Sequence, residues 1–478
     1  MIGFNPVKSV FSWQKNRRKS IAFCASKLFF RCSRRRSENT IAFFHPYCNA
    51  CGGGERVLWC AISSMQNEFK SKNFRYVIYT GDRDAKPVDF LQKANDRFNV
   101  FVDERNLEFI FLKSRAFLEA KYYPVFTLAC QALGGLFVGI EAMIKIVPEV
   151  FIDTMGCPLT LPLFRWIAGS KVACYVHYPT ISSDMISLVE SRKPSYNNAQ
   201  WITRNPFFCF AKLYYYKLFA ILYKFCGLSS HIVMVNGSWT MKHINYLWNV
   251  PERTFLLYPP CDVNFLLKLK SNSEFLLVNE GKVQILSIGQ IRPEKNHGLQ
   301  LDFLAILKKK LLENNISAKV HLVICGGCRN DDDITRCTQL KNYASNLGLT
   351  DSDLKWALNV SFNELISLMK NSLIGLHTMY NEHFGISVVE SVASGLITIA
   401  HDSGGPKLDI LSPIESGQSL GFLASTVEEY VDCALRIIKM TVGERELIRK
   451  RAKLSVDRFS DQNFSLNWNR VISIFFTN

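Results

Sequence analysis

The stretch YNEHFGISVVESVASG (380–395) sets two glutamates, Glu382 and Glu390, eight positions apart with His-Phe-Gly between them. Carboxylates can accept hydrogen bonds, balance a positive charge or attack an electrophilic carbon, and which applies depends on where the chain presents them. The apolar run LIGLHTM (373–379) predicts a strand, YNEHFG a loop, Ile386 to Ser394 a helix with Gly395 as its stop, and LITIAHD the next strand. On a helix advancing about 100° per residue, Val389 and Ala393 fall within about 60° of Ile386, and Glu390 about 40° to the other side. Glu390 thus borders the buried stripe and faces a polar cleft. Glu382, in the loop at the carboxyl end of a strand, reaches the same cleft from above the helix start.

Further stretches carry groups suited to phosphate and sugar. In HPYCNACGGGERVLW (45–59), Gly52, Gly53 and Gly54 fall between a strand and a helix, where backbone amides approach a phosphate or an acceptor closely. SGGPKLDI (403–410) supplies a second amide-rich turn through Gly404 and Gly405. In GQIRPEKNHG (289–298), Arg292 and Lys295 follow a strand and can point into the cleft from the other side. Two cations there suit a diphosphate leaving group, whose charge grows as the bond to it breaks; solvated basic residues in a turn are the alternative. His177 directly follows an apolar strand in YVHYPT (175–180), as a group facing the cleft or as a structural histidine.

These residues need a scaffold of strand ends and helix starts. From residue 40, short apolar runs alternate with helical patterns, the mark of a parallel α/β sheet. TIAFFHPY, FRYVIYTGD, VFIDTMG, KVACYVHYP and HIVMVNGSW are strands of a first set; KVQILSIGQ, AKVHLVICGG, LIGLHTM and LITIAHD form a second. SFNELISLMK opens with Ser361 and Glu364 in capping-box spacing. Two Rossmann-like domains follow, 40–275 and 281–455, with a boundary near 265–281, a basic tail at 1–39, and a last helix in 456–478 that can cross back to the first domain.

The Glu-x7-Glu spacing around HFG resembles the signature of retaining glycosyltransferases with the GT-B fold. Together with YPPCDV, GGCRNDDD and the stretches above, in this order from about residue 40 to 460, it is similar to the dolichol-pathway alpha-1,2-mannosyltransferases. The resemblance implies an α/β protein of GT-B fold, with two Rossmann-like domains facing a central cleft. It implies transfer of mannose from GDP-mannose to a dolichyl-diphosphate-linked trimannosyl chitobiose on the cytosolic face of the endoplasmic reticulum membrane, adding the fourth and fifth mannoses with retention. By the same resemblance Glu382 and His177 are catalytic and meet the transferred sugar, Glu390 holds the ribose hydroxyls, and Lys295, Arg292, Gly385, Gly404 and Gly405 bind the rest of the donor. Retention leaves two routes, a double displacement with Glu382 as nucleophile and a front-face departure and attack. No metal or cofactor is expected. Partners are GDP-mannose, the lipid-linked oligosaccharide, a membrane surface and other mannosyltransferases of the pathway. The chain departs from the family at Cys51, where glycine is usual, at Gln290, where relatives carry arginine, and in residues 1–39, where an N-terminal anchor is usual.

Charge and composition narrow the alternatives. Residues 1–37 hold ten Lys or Arg and no acid, so a net charge of +16 leaves about +6 for the rest. Such a tail suits an anionic leaflet, and no nucleic-acid module accompanies it. Mean hydropathy of +0.04 fits apolar surface resting on a membrane. The uncharged run Tyr122 to Ile140 includes Pro124, Gln131 and three glycines, which makes it borderline for a span. Ile21 to Phe30 is broken by Lys27, and residues 207–228 read as an interfacial or a buried amphipathic helix. Fifteen cysteines without a secretory signal fit a reducing compartment, and the pairs Cys48/Cys51 and Cys325/Cys328 sit too far apart in sequence for a shared zinc site to be the first reading. Asp82-Arg83-Asp84 spells Asp-x-Asp, a motif common by chance. Gly52 to Gly54 gives no Gly-x-Gly-x-x-Gly run, which disfavours a nicotinamide dehydrogenase. The remaining alternatives are a related transferase with another donor or lipid acceptor, and an inactive membrane scaffold.

Overall fold

The computed structural model describes residues 36–50, 52–192, 205–269, 281–328, 330–412 and 418–477. Most of the basic tail, the Ile21 to Phe30 piece and Cys51 lie outside the described residues.

Two wholly parallel sheets form the frame. The first has seven strands in the order β3-β2-β1-β4-β5-β6-β7: β1 Ser37–Phe44, β2 Arg75–Thr80, β3 Leu107–Phe111, β4 Pro148–Asp153, β5 Lys171–Val176, β6 Ile232–Val235 and β7 Thr254–Leu256. The second has six in the order β10-β9-β8-β11-β12-β13: β8 Lys282–Ile288, β9 Lys319–Gly326, β10 Leu354–Leu358, β11 Ile374–His377, β12 Ile397–His401 and β13 Phe422–Ala424. Helices cover both faces, so interior strands are apolar on both sides. In β1, Ile41 and Phe43 enter one core and Ala42 and Phe44 the other; in the second sheet Leu322 and Ile324 alternate in the same way with Val323 and Cys325.

The chain passes between the sheets twice, and the two passages pair. Cys261 bridges Ser460, its amide donating to the Phe459 carbonyl at 2.9 Å. Beyond this crossing the helix Asp461–Ile472 packs on the helix Gly53–Glu68 of the first domain. Arg56 holds Asp461 there at 2.7 Å, and the fully buried Trp468 stacks on Phe43 at 6.4 Å between ring centres.

Two apolar helices flank the first sheet. Thr127–Lys145 is long and apolar enough to cross a membrane by length and composition. Its glycines bring it tightly onto the domain: a Cβ at Gly135 would meet Cys157 at 3.3 Å, and one at Gly139 would meet Leu163 at 3.0 Å. The helix Pro206–Leu228 buries Tyr216, Phe219 and Tyr223 and turns Phe207, Phe210 and Ile221 outward.

Removing the return anchor should loosen the first domain. Trp468→Ala, which deletes a fully buried ring, should cost about 3–5 kcal/mol and lower the thermal unfolding midpoint; an unchanged midpoint would mean that the helix Asp461–Ile472 does not stabilise the domain it packs on.

Candidate active site

The site begins at the end of β11. His377 is that strand's last residue, and its backbone carbonyl is fixed by the hydroxyl of the buried Tyr430 at 2.9 Å. Five residues on, the Glu382 carboxylate turns back: its Oε2 accepts from His377 Nε2 at 3.2 Å and from Lys295 Nζ. Burial alone pushes the Glu382 pKa up, but the His377 hydrogen bond and the Lys295 charge outweigh it and hold the carboxyl well below the usual range. Gly385 then takes φ +105°, open to glycine, and the helix Ile386–Ser394 begins as the sequence predicts, ending at Gly395 with φ +92°.

Gly404 and Gly405, expected to offer amides to phosphate, are pressed against this loop instead. The Gly405 amide donates to the Glu382 carbonyl at 2.7 Å, and a side chain at either glycine would collide with the backbone of residues 381–384. Their tie to the loop makes them holders of Glu382; the Gly405 amide is not free for a ligand. Lys295, expected at a diphosphate, is here the ion-pair partner of Glu382. Arg292 stands exposed beside it, and its positive charge reaches Tyr178 of the first domain.

Opposite, the loop after β1 leads into the helix Gly53–Glu68. The Gly52 amide donates to Glu55, whose other oxygen is 3.2 Å from His45 Nε2; His45 Nδ1 lies 2.8 Å from Thr154 Oγ1 beyond β4. With Gly52 taken, the amides of Gly53 and Gly54 fall in the first helical turn, where no intrahelical acceptor serves them. Gly53 lies so close to the helix Ile386–Ser394 that a Cβ would meet Ile386 at 2.7 Å, and one at Gly54 would sit 3.5 Å from His177 Nε2. Burial, then the neighbouring His45, bring the His177 pKa down to about 4, while the Glu55 charge and the bond to the Thr154 backbone oppose this. His177 is therefore neutral. Its Nε2 is buried without a protein partner among the described residues, which leaves a lone pair for a hydroxyl donor.

The domains are held face to face. Asn381 donates to Asp184 at 2.8 Å, Tyr178 stacks on His383 at 5.5 Å, and Asp409 accepts from the Ser238 amide at 2.9 Å and from the Tyr258 hydroxyl at 3.0 Å. His383 belongs to the His-Phe-Gly between the two glutamates, whereas no local pattern marks Asp184, Ser238, Tyr258, Asp409, His377 or His45. The signal for Glu55 was present: it is the N3 position of a helix whose entry is glycine, where a carboxylate caps free amides. Asp82 of the Asp-x-Asp is spent on Arg115 and on the Asn49 amide at 2.9 Å, and Cys48 donates to Thr80 at 3.1 Å.

Glu390 is half-buried, with Arg56 and Asp262 as its charged neighbours and no hydrogen-bond partner for its carboxylate among the described residues. Burial raises its pKa to about 7, against the pull of Arg56. Only the ionised form accepts from two ribose hydroxyls, so on that assignment donor affinity should fall as pH drops below about 7, by up to about tenfold per unit, and level off above it. Titration calorimetry with GDP-mannose against pH checks this. Glu390→Gln should flatten the profile; a variant that keeps the wild-type pH profile would remove Glu390 from donor binding.

Comparison with known proteins identifies the family and the fold. Residues 38–248 match the family described as "ALG11 mannosyltransferase N-terminus", and residues 270–453 match "Glycosyl transferases group 1". The chain is 47% identical over 438 residues to a protein of Caenorhabditis elegans, covering 92% of each, and 46% identical over 443 residues to one of Homo sapiens, covering 92% of this chain and 88% of that one. A Kluyveromyces lactis protein is 34% identical over 90% of this chain and 77% of its own length. All three bear the name GDP-Man:Man(3)GlcNAc(2)-PP-Dol alpha-1,2-mannosyltransferase. Among solved structures, sucrose-phosphate synthase of Thermosynechococcus elongatus superposes with a TM-score of 0.64 at 13% identity over 92% of this chain and 99% of that one. Anabaena Alr3699/HepE in complex with UDP and glucose gives 0.59 at 15%, over 91% and 99%. These likenesses show the fold, a GT-B pair of Rossmann-like domains, and the sequence identities show the family: the chain belongs to the GDP-Man:Man(3)GlcNAc(2)-PP-Dol alpha-1,2-mannosyltransferases.

Proposed function

We propose that this chain transfers mannose from GDP-mannose, in alpha-1,2 linkage, to Man(3)GlcNAc(2)-PP-dolichol, adding the fourth and fifth mannoses. The observation that carries the reading is the single name shared by relatives 45–48% identical over 90–92% of the chain. The cleft supports it: an ionised Glu382, a neutral His177 and the helix start at Gly53 and Gly54 come together from two domains. Donor and product linkages are both alpha, so configuration is retained. The pairing of Glu382 with Lys295 and His377 favours front-face departure, because a carboxylate whose charge is shared by two donors is a weak nucleophile. Lys295, Arg292 and the Gly53 and Gly54 amides would take up the charge of the leaving GDP, with no metal or cofactor.

The site of action in this reading is the cytosolic leaflet of the endoplasmic reticulum. Its support is an apolar face on the first domain. Phe207, Phe210 and Ile221 are 73%, 69% and 67% exposed, and on the adjoining helix Phe137 is 59% exposed. Phe126, at the start of that helix, meets Tyr215 at 5.3 Å, and Trp166 of the turn Leu163–Ile167 meets Phe225 at 4.7 Å. Lys212 and Lys224 stand on the same helix as the aromatics, which suits anionic headgroups.

Two measurements test the reading. Incubating the membrane-associated chain with GDP-mannose and the trimannosyl lipid should add two hexoses by mass, both removed by an alpha-1,2-mannosidase, whereas UDP-glucose should add none. A folded chain that binds GDP-mannose and leaves the lipid unextended would contradict the acceptor assignment. For the surface, Phe207→Ser/Phe210→Ser/Ile221→Ser should weaken flotation with phosphatidylserine-containing vesicles at least about tenfold, given about 1.5–3 kcal/mol for each large apolar side chain fully buried; unchanged flotation would move the contact elsewhere.

A further inference from the structure

Glu382 is held by two donors of different character, and both meet the same oxygen, Oε2. Lys295 ends a short turn, Pro293–Lys295, and its ammonium swings on a four-carbon stem. His377 is 6% exposed, has two rotatable side-chain bonds and stands on β11, whose register with β12 is fixed from Ile374 to His377. The Tyr430 hydroxyl pins its carbonyl as well. Because the Glu382 carboxylate is ionised it can only accept, so Nε2 of His377 carries the proton. Nδ1 is buried without a partner among the described residues, so Nε2 alone carries the ring's bond to Glu382. Oε1 of Glu382 meets no protein donor among the described residues and is left for the cleft.

A buried carboxylate that loses its only donors is strongly disfavoured. A diphosphate entering beside Lys295 competes for that ammonium, and a carboxylate held by the lysine alone would then be released as the sugar arrives. We propose that His377 is the positioning residue for Glu382: its Nε2–H keeps Oε2 in place when Lys295 turns to the donor's diphosphate, and so keeps Oε1 directed at the transferred sugar. This rests on the reading that Glu382 meets that sugar. In this division of labour Lys295 serves the leaving group and His377 serves the carboxylate.

Three variants of the full chain separate this role from a structural one. His377→Leu removes the donor; His377→Gln places an amide N–H close to the position of Nε2; His377→Asn reaches only as far as Nδ1. The kcat of mannose transfer should fall about ten- to a hundredfold in His377→Leu, the range for a hydrogen bond to a charged group, and largely recover in His377→Gln but not in His377→Asn. Calorimetry should show GDP affinity within about twofold of wild type in all three, while the advantage of GDP-mannose over GDP is lost in the Leu and Asn variants and kept in Gln. The Gln and Asn pair, similar in polarity, decides the matter even where the Leu variant fails to fold. Equal behaviour of Gln and Asn, unchanged kcat in Leu, or a parallel loss of GDP affinity would overturn the assignment. The binding arms decide it even where the wild-type chain leaves the trimannosyl lipid unextended, a result that counts against the acceptor assignment alone.

Discussion

A carboxylate taken out of water must be given hydrogen-bond donors, and the geometry of the second domain follows from meeting that need at Glu382. Its donors come from the loop after β8 and from the end of β11. These strands are neighbours, with Ile374 opposite Ile285, so the loops that leave them emerge side by side. Gly404 and Gly405 give the third support, because only residues without side chains let the turn after β12 lie against residues 381–384. The site is thus a consequence of strand order before it is a consequence of side-chain choice.

Strand order also explains why the two domains face each other where they do. In the first sheet the order reverses between β1 and β4, and in the second between β8 and β11. At such switch points the flanking loops part and leave a crevice. His45 and the glycine run follow β1 and Thr154 follows β4; Lys295 follows β8 and Glu382 follows β11. Both crevices open toward one cleft, spanned by Asn381 to Asp184 and by Tyr178 to His383. The paired passages at Cys261 and Ser460, with the helix that continues from them, keep the two domains in this relation.

What the sequence disclosed follows the same physics. Nine strands are legible as apolar runs, and all are interior, buried on both faces. The four not recognised, β3, β7, β10 and β13, are the four sheet edges, short or only half-buried, where continuous apolarity is not required. Glu382, Glu390, His177 and the glycine run are legible because spacing and position at strand ends mark them. His377 is not, because a histidine ending an apolar strand looks like any buried histidine until Glu382 is seen folded back onto it. Asp409 and Ser238 meet across 171 residues of sequence, and no local pattern announces such a pair. Gly405 illustrates the opposite failure: its type and setting suit phosphate, and only the fold shows its amide already given to Glu382.

If the charge of Glu382, rather than nucleotide affinity, drives transfer as proposed, removing that charge alone slows the reaction. Single-turnover transfer from GDP-mannose by Glu382→Gln, which keeps the shape and removes the charge, tests it most directly. The expected rate is about 100- to 1,000-fold below wild type, with GDP affinity little changed. Transfer at a rate close to wild type would contradict it.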